Sequence, residues 1–271
     1  NLRGIQDPKP SATVHPSTQE MHLLIDNSNT RTKFALHDHT SLFEWRAVIP
    51  TGEVTPETLT DALEGVEFDH VTLCSVVPAT AAVIEAYFDK PLHRITFESK
   101  MPIAIDYPTP AQIGADRLAN SASAFLEYKG PAIVIDFGTA VTFDVISEAG
   151  AYLGGVIAPG TASLRDYLHR RTALLPEIQL EEPASAIGRS TEHAMQVGAV
   201  IGYRGLVREI LTAVSEELGG QPTIIATGGD ASLISAKLDI IEILDPDLTF
   251  RGIQAIGRLN HNFLNQASPQ P

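Results

Sequence analysis

Residues 133–146 read IVIDFGTAVTFDVI, and residues 23–36 read LLIDNSNTRTKFAL. In each stretch three apolar residues lead to an aspartate, a short polar turn follows, and a partly alternating apolar segment returns. That pattern predicts a strand, a tight turn and an antiparallel strand. The second copy begins about 110 residues after the first, and strands alternate with helices after both. The reading is α/β, with two related domains, each a mixed sheet flanked by helices.

Working outward, the first half predicts strands at 21–26, 32–38, 41–50, 70–77 and 93–99, with helices at 55–63 and 78–88. A proline-rich loop, MPIAIDYPTPAQIGADR (101–117), leads into a helix over 112–128 that Lys129-Gly130-Pro131 stops. The second half predicts strands at 132–138, 141–147, 151–159, 223–227 and 240–244, and helices at 161–174, 191–218 and 248–264. Ser190 caps the long helix and Gly219 ends it. The domains are therefore placed at 21–129 and 130–271, with the last helix free to pack back on the first. Residues 1–20 are polar with three prolines and read as a disordered tail outside the fold.

Composition narrows the function. Hydrophobic residues make up 44% of the 271, enough for a sizeable core, and no apolar run is long enough to span a membrane. The formal charge of −14 repels nucleic-acid backbones and anionic lipid, so neither is an expected partner. Cys74, the one cysteine, lies in an apolar run and reads as a buried thiol in a reducing, cytoplasmic setting. Nine histidines show no ligand spacing, and His37 and His39 read as surface residues in a polar turn.

A phosphate site in so acidic a chain must be made locally. The turn at Asp136-Phe137-Gly138-Thr139 aims backbone N–H groups outward, and Gly138 tolerates a positive φ and close approach of a phosphate. Thr139 and Thr142 offer hydroxyls, and Asp136 offers a carboxylate for a cation. Alone, this turn reads equally as an ordinary hairpin. Asp26-Asn27-Ser28-Asn29-Thr30 is weaker by itself, but two such turns facing each other across a cleft could clamp a polyphosphate and its metal. Lys33, by alternation, reads as a solvated surface lysine. Asp116-Arg117, by periodicity alone, reads as an exposed ion pair at a helix start.

Taken together, these motifs resemble the type III pantothenate kinases, a branch of the actin-like ATPase (ribonuclease H-like) superfamily. The resemblance covers residues 21 to about 264. It rests on Asp26–Thr30, on Tyr107, Pro110, Gly114, Asp116 and Arg117, on Asp136–Asp144, on Gly154–Gly160, on Thr191, Ala194, Met195, Gln196 and Gly198, and on Thr227-Gly228-Gly229. It implies transfer of the ATP γ-phosphoryl group to pantothenate, giving 4′-phosphopantothenate for coenzyme A synthesis. ATP, Mg²⁺ and a monovalent cation (K⁺ or NH₄⁺) are the implied cofactors, and a homodimer with a shared active site the implied assembly. By the same resemblance Asp26, Asn27, Ser28, Asn29, Thr30, Arg31, Thr32, Lys33, Gly138, Thr139 and Thr142 serve ATP and its phosphates. Tyr107, Gly114, Ala115, Asp116, Arg117 and Thr191 serve pantothenate, with Asp116 as general base. Asp136 holds the monovalent cation, and Asp26 meets Mg²⁺ through the nucleotide. One departure stands out: Ser28 occupies a position where the family usually has glycine. Its Cβ restricts φ or crowds a phosphate, while its hydroxyl offers a bond. Two rival readings are a non-catalytic regulator on the same scaffold and a phosphohydrolase of the same superfamily; the intact 107–117 motif argues against both.

Overall fold

The computed structural model describes residues 20–38 and 40–261. Residues 1–19 of the tail expected at 1–20, His39 and the expected helical residues 262–264 lie outside the described residues.

The decisive stretches are hairpins. Strand β1 (His22–Asn27) pairs antiparallel with β2 (Arg31–His37), and β2 with β3 (Leu42–Pro50). On the other side β1 runs parallel to β4 (His70–Ser75), and β4 to β5 (Leu92–Arg94), giving the order β3-β2-β1-β4-β5. After the short edge strand β6 (Ala104–Ile105) the scheme recurs. Strands β7 (Ala132–Phe137), β8 (Ala140–Ile146), β9 (Ala151–Pro159), β10 (Thr223–Gly228) and β11 (Ile243–Leu244) form the order β11-β10-β7-β8-β9-β6. Without β6 this is the first sheet repeated, β7 standing for β1 and β10 for β4. The parallel and antiparallel pairings also match.

Each sheet buries both faces. Helices α1 (Pro56–Ala62) and α2 (Pro78–Tyr87) cover one face of the first sheet, over Leu23, Ile25, Phe34, Val71 and Leu73. Helix α3 (Ala115–Tyr128) and the last helix, α8 (Leu248–Asn260), cover its other face through Ala115, Ala119, Phe250, Ile253 and Ile256. Ala124 of α3 and Leu248 of α8 also pack on Ala132, Val134 and Ile225 of the second sheet, so the two helices lie between the sheets. Their backbones touch closely: a Cβ on Gly252 would stand 1.8 Å from the Ala119 carbonyl oxygen. The far face of the second sheet is covered by α6 (Tyr203–Leu218) and α7 (Ala231–Ser235). Helix α4 (Thr161–Arg171) follows β9 and leads through a long connection to α5 (Thr191–Val197).

Several expectations need correcting. Residues 93–99 do not form one strand. Pairing ends near Ile95, because the Thr96 amide bonds the Ser99 hydroxyl and the Ser99 amide returns to the Thr96 carbonyl, closing a turn. The helix expected from 112 starts at Ala115, since Pro110–Gln112 forms a separate 3₁₀ turn and Gly114 is extended. The helix over 191–218 carries a π-helical turn at Gly198–Gly202 between α5 and α6. His37 is buried at 1% exposure, not a surface residue. Its ring lies 4.5 Å from that of His22, which neighbours His70 at 5.2 Å.

Candidate active site

The two aspartate turns meet. Thr30 Oγ1 lies 2.8 Å from Thr139 Oγ1, joining turns from opposite halves of the sequence. Each turn is closed by its own backbone: the Ser28 amide donates to the Arg31 carbonyl, and the Gly138 amide to the Ala140 carbonyl.

The first turn is braced from beneath. Asn27 Nδ2 donates to Thr32 Oγ1 at 2.8 Å, Ser75 Oγ donates to Asn27 Oδ1 at 2.6 Å, and Thr51 Oγ1 donates to the Ser28 carbonyl at 2.6 Å. Asn27 and Thr32 are buried and spend their side chains on this bracing, so only their backbones can face a ligand. Asn29, Thr30 and Arg31 are exposed at the tip. Lys33 is not simply a solvated lysine: its register partner is Asp26, and Nζ lies 3.1 Å from Asp26 Oδ2. The Ser28 hydroxyl donates to Asp26 Oδ1 at 2.8 Å, so both carboxylate oxygens are engaged. Ser28 does not take a positive φ; among the described residues Lys129 is the sole non-glycine that does.

In the second turn Gly138, Thr139 and Ala140 are exposed and Thr142 is half-buried. Gly138 also lacks the expected positive φ, so its use is the space left by a missing side chain. Gly228, at φ +94°, does have one, and a Cβ there would sit 2.6 Å from Asp136 Oδ1. The parallel pairing of β10 with β7 sets this contact, bringing the Thr227-Gly228-Gly229 loop against the Asp136 carboxylate.

Helix α3 supplies the third part. Asp116 folds back over its own turn, accepting from the Arg117 amide at 2.8 Å, and a Cβ at 114 would lie 2.5 Å from Asp116 Oδ1, so a side chain there would turn this carboxylate out of its place. Ala115 is buried in the core behind, leaving only its backbone for the cleft. Burial pushes the Asp116 carboxyl above its ordinary range, and the Asp26 charge adds to the effect. Asp136 is pushed up to about 6, first by burial and then by the charges of Asp116 and Asp26. Three carboxylates thus share one poorly solvated cleft, a field that a cation would relieve. Among the described residues no group of three acid, histidine or cysteine side chains is arranged to hold a metal unaided. A cation here must share its ligands with phosphate, backbone or water.

Sequence reasoning missed Asn120, buried one turn beyond Asp116. Its Nδ2 donates to Asp136 Oδ2 at 3.2 Å while its Oδ1 accepts from Thr249 of α8 at 2.7 Å. The (i, i+4) spacing from Asp116 was visible, but the partner helix was not. Tyr107 stands beside the cleft with its ring 5.9 Å from that of Tyr152 and against Gly154. Thr191 is not brought to these residues within the chain; it lines a separate groove of about 610 Å³ with Tyr167, Leu168, Ile178 and Met195. Thr30 and Thr139 open instead onto a hollow of about 530 Å³ beneath α4.

The sequence model of the type III pantothenate kinase family matches residues 22–213. A type III pantothenate kinase of Akkermansia muciniphila is 52% identical over 239 residues, covering 88% of this chain and 99% of that protein. One from Methylacidiphilum infernorum is 41% identical, covering 88% of each chain. Among solved structures, a Baf family transcriptional activator from Campylobacter jejuni superposes with a TM-score of 0.60 at 20% identity, covering 89% of this chain and 100% of that one. The ethanolamine utilization protein EutJ from Carboxydothermus hydrogenoformans gives 0.56 at 14% identity, covering 90% and 92%. These two likenesses speak to fold alone. With the family model spanning most of the chain and relatives this similar along nearly their whole length, the chain belongs to the type III pantothenate kinase family.

Proposed function

We propose that this chain transfers the γ-phosphoryl group of ATP to the primary hydroxyl of pantothenate, the first step of coenzyme A biosynthesis. The observation that carries the reading is the meeting of the two turns at Thr30 and Thr139 in front of Asp26, Asp116 and Asp136. Polyphosphate is held between the turns, by exposed backbone amides and by the hydroxyls of Thr30, Thr139 and Thr142. Lys33, now paired with Asp26, is close enough to the turn to offer its charge to phosphate oxygen, and Asp26 would be the carboxylate available to the nucleotide's Mg²⁺. Bound cations neutralise charge on the transferring group. Asp136, in its acidic hollow beside Gly228, takes the monovalent cation. Asp116 accepts the acceptor hydroxyl's proton: a carboxylate whose proton affinity is raised by burial is the better base near neutral pH. Arg117, Tyr107 and the Gly114 backbone line the acceptor side.

The active unit is a homodimer whose neighbouring chain supplies Thr191, and it works in the cytoplasm. Support for the first is the exposure of Thr191 beside an apolar groove, away from its own chain's Asp116. Consistent with the second, Cys74 is a buried free thiol and no described helix is long and apolar enough to cross a membrane. The deciding experiment is ADP release with and without pantothenate. Release only with pantothenate supports the kinase, release without it a hydrolase, and none in either condition a non-catalytic role. In the same assay potassium buffer should give faster turnover than sodium alone; equal rates would remove the monovalent cation.

A further inference from the structure

The last residue of the Asp136–Asp144 motif has no part in the scheme above. Asp144 points inward from β8 and is fully buried, and its carboxylate meets the guanidinium of the acceptor side: Arg117 Nε donates to Asp144 Oδ1 at 2.6 Å. A second nitrogen of the guanidinium is also held. Nη2 reaches the Phe143 carbonyl at 3.4 Å, and the guanidinium carbon lies 5.7 Å from the centre of the Tyr152 ring. Gly155 makes this possible, since a Cβ there would stand 1.7 Å from the Phe143 oxygen and 2.9 Å from Nη2. Among the described residues nothing accepts from Nη1, and the side chain keeps 13% of its surface. One edge of the arginine fork is therefore fixed in the protein and the other is left for a ligand.

The Tyr152 hydroxyl lies 3.4 Å from Asp144 Oδ1, and the Thr142 hydroxyl donates to Oδ2 at 3.4 Å. Asp144 thus touches the acceptor wall with one oxygen and the phosphate turn with the other. A buried ion pair is a poor device for stability, because desolvation offsets most of the attraction. It is a good device for fixing a planar group in one orientation.

We propose that Asp144 is a positioning residue for the acceptor: it acts through Arg117, holding the guanidinium so that its free edge faces pantothenate. This rests on the kinase reading, so the wild-type protein must first show pantothenate-dependent ADP release; its absence would fail that reading and not this one. Given that activity, Asp144→Asn should raise the pantothenate KM about tenfold to a hundredfold, the range for loss of a charged hydrogen bond, while the ATP KM stays within about twofold. Arg117→Ala should raise the pantothenate KM as well, and the double variant should be no worse than Arg117→Ala alone. A merely structural role would move both substrates' KM values, or give a double variant whose loss is the product of the two single losses; either result overturns the proposal. If Asp144→Asn does not fold, Arg117→Lys decides. Lysine keeps a charge for Asp144 but lacks the planar fork that presents a second, fixed edge to a ligand, so its pantothenate KM should rise toward that of Arg117→Ala. A value equal to wild type would refute the proposal.

Discussion

Asp116, Asp26 and Asp136 share a cleft and a sign of charge, yet their surroundings differ, and the proposed division of labour among them follows those differences. Asp116 accepts a bond from the Arg117 amide at the start of α3, Asp26 is engaged by Lys33 and Ser28, and Asp136 by Asn120. Asp116→Asn keeps the shape and removes the proton acceptor. Its turnover should fall roughly a hundredfold to ten-thousandfold, toward the low end because a loose phosphoryl transition state needs little help with the proton. Nucleotide affinity should be nearly unchanged, whereas Asp26→Asn and Asp136→Asn should weaken it along with turnover. Titrating ATP while following single turnovers separates the cases; an Asp116→Asn protein that loses ATP affinity but keeps its chemical step would overturn the assignment. At this scale the repeated aspartates were legible because each sits at a strand end before a polar turn. The pairing of Lys33 with Asp26 was not legible because alternation reports which face a side chain takes, not the partner waiting there. Asn120 and Asp144 were hidden because their partners lie on elements that pair only after folding.

Elements were legible where periodicity and punctuation agreed. Thr55 and Pro56 start α1, and the Thr55 hydroxyl accepts from the Thr58 amide as an N-cap should. Short elements set by tertiary pairing were not legible: β6 joins the edge of the second sheet only by meeting β9, and α7 spans five residues. The contact of α3 with α8 carries two expectations. Gly252→Ala would drive a Cβ into the Ala119 carbonyl, so the helices must part. A loss of about 1–3 kcal/mol, read as a lower urea midpoint at unchanged slope, is expected. An unchanged midpoint would mean that the helices slide freely. At the C-terminal end of α8, burial pushes His261 down to about 4, with the charges of His70 and His93 adding to the effect. Between roughly pH 6.5 and that value the unfolded chain binds a proton that the folded chain refuses. This contribution to stability is therefore full above about pH 6.5 and declines as pH falls, by on the order of 3 kcal/mol at most. His261→Gln should flatten the stability profile over that interval relative to wild type; parallel profiles would remove His261 as the cause.

At the scale of the molecule, the duplication was visible as two similar fourteen-residue stretches, and the matching strand orders extend it to whole sheets. The nearness of the two turns was not visible, since no local pattern records how one sheet meets another; it depends on α3 and α8 lying between them. The same limit applies to association. The surface is acidic overall, with a formal charge of −14, so two copies repel unless an uncharged face joins them. Around Thr191 such a face exists: Tyr167 is 61% exposed, Leu168 40% and Leu174 91%, beside the groove lined by Ile178 and Met195. Exposed apolar area gathered in one place is the usual mark of a contact. Placing a carboxylate there tests both the dimer and the shared site. Leu168→Glu should shift the mass in light scattering from two chains to one. Because the monomer lacks its neighbour's Thr191, its pantothenate KM should rise by about tenfold or more, the scale of a lost hydrogen bond with some loss of packing. If ATP binds between the two turns of one chain, as proposed, its binding should persist, and so should the thermal midpoint of each folded subunit apart from the loss of mass-action stabilisation. A Leu168→Glu monomer with wild-type kinetics would show that each chain carries a complete acceptor site, and Thr191 would then be only an exposed residue at the start of α5.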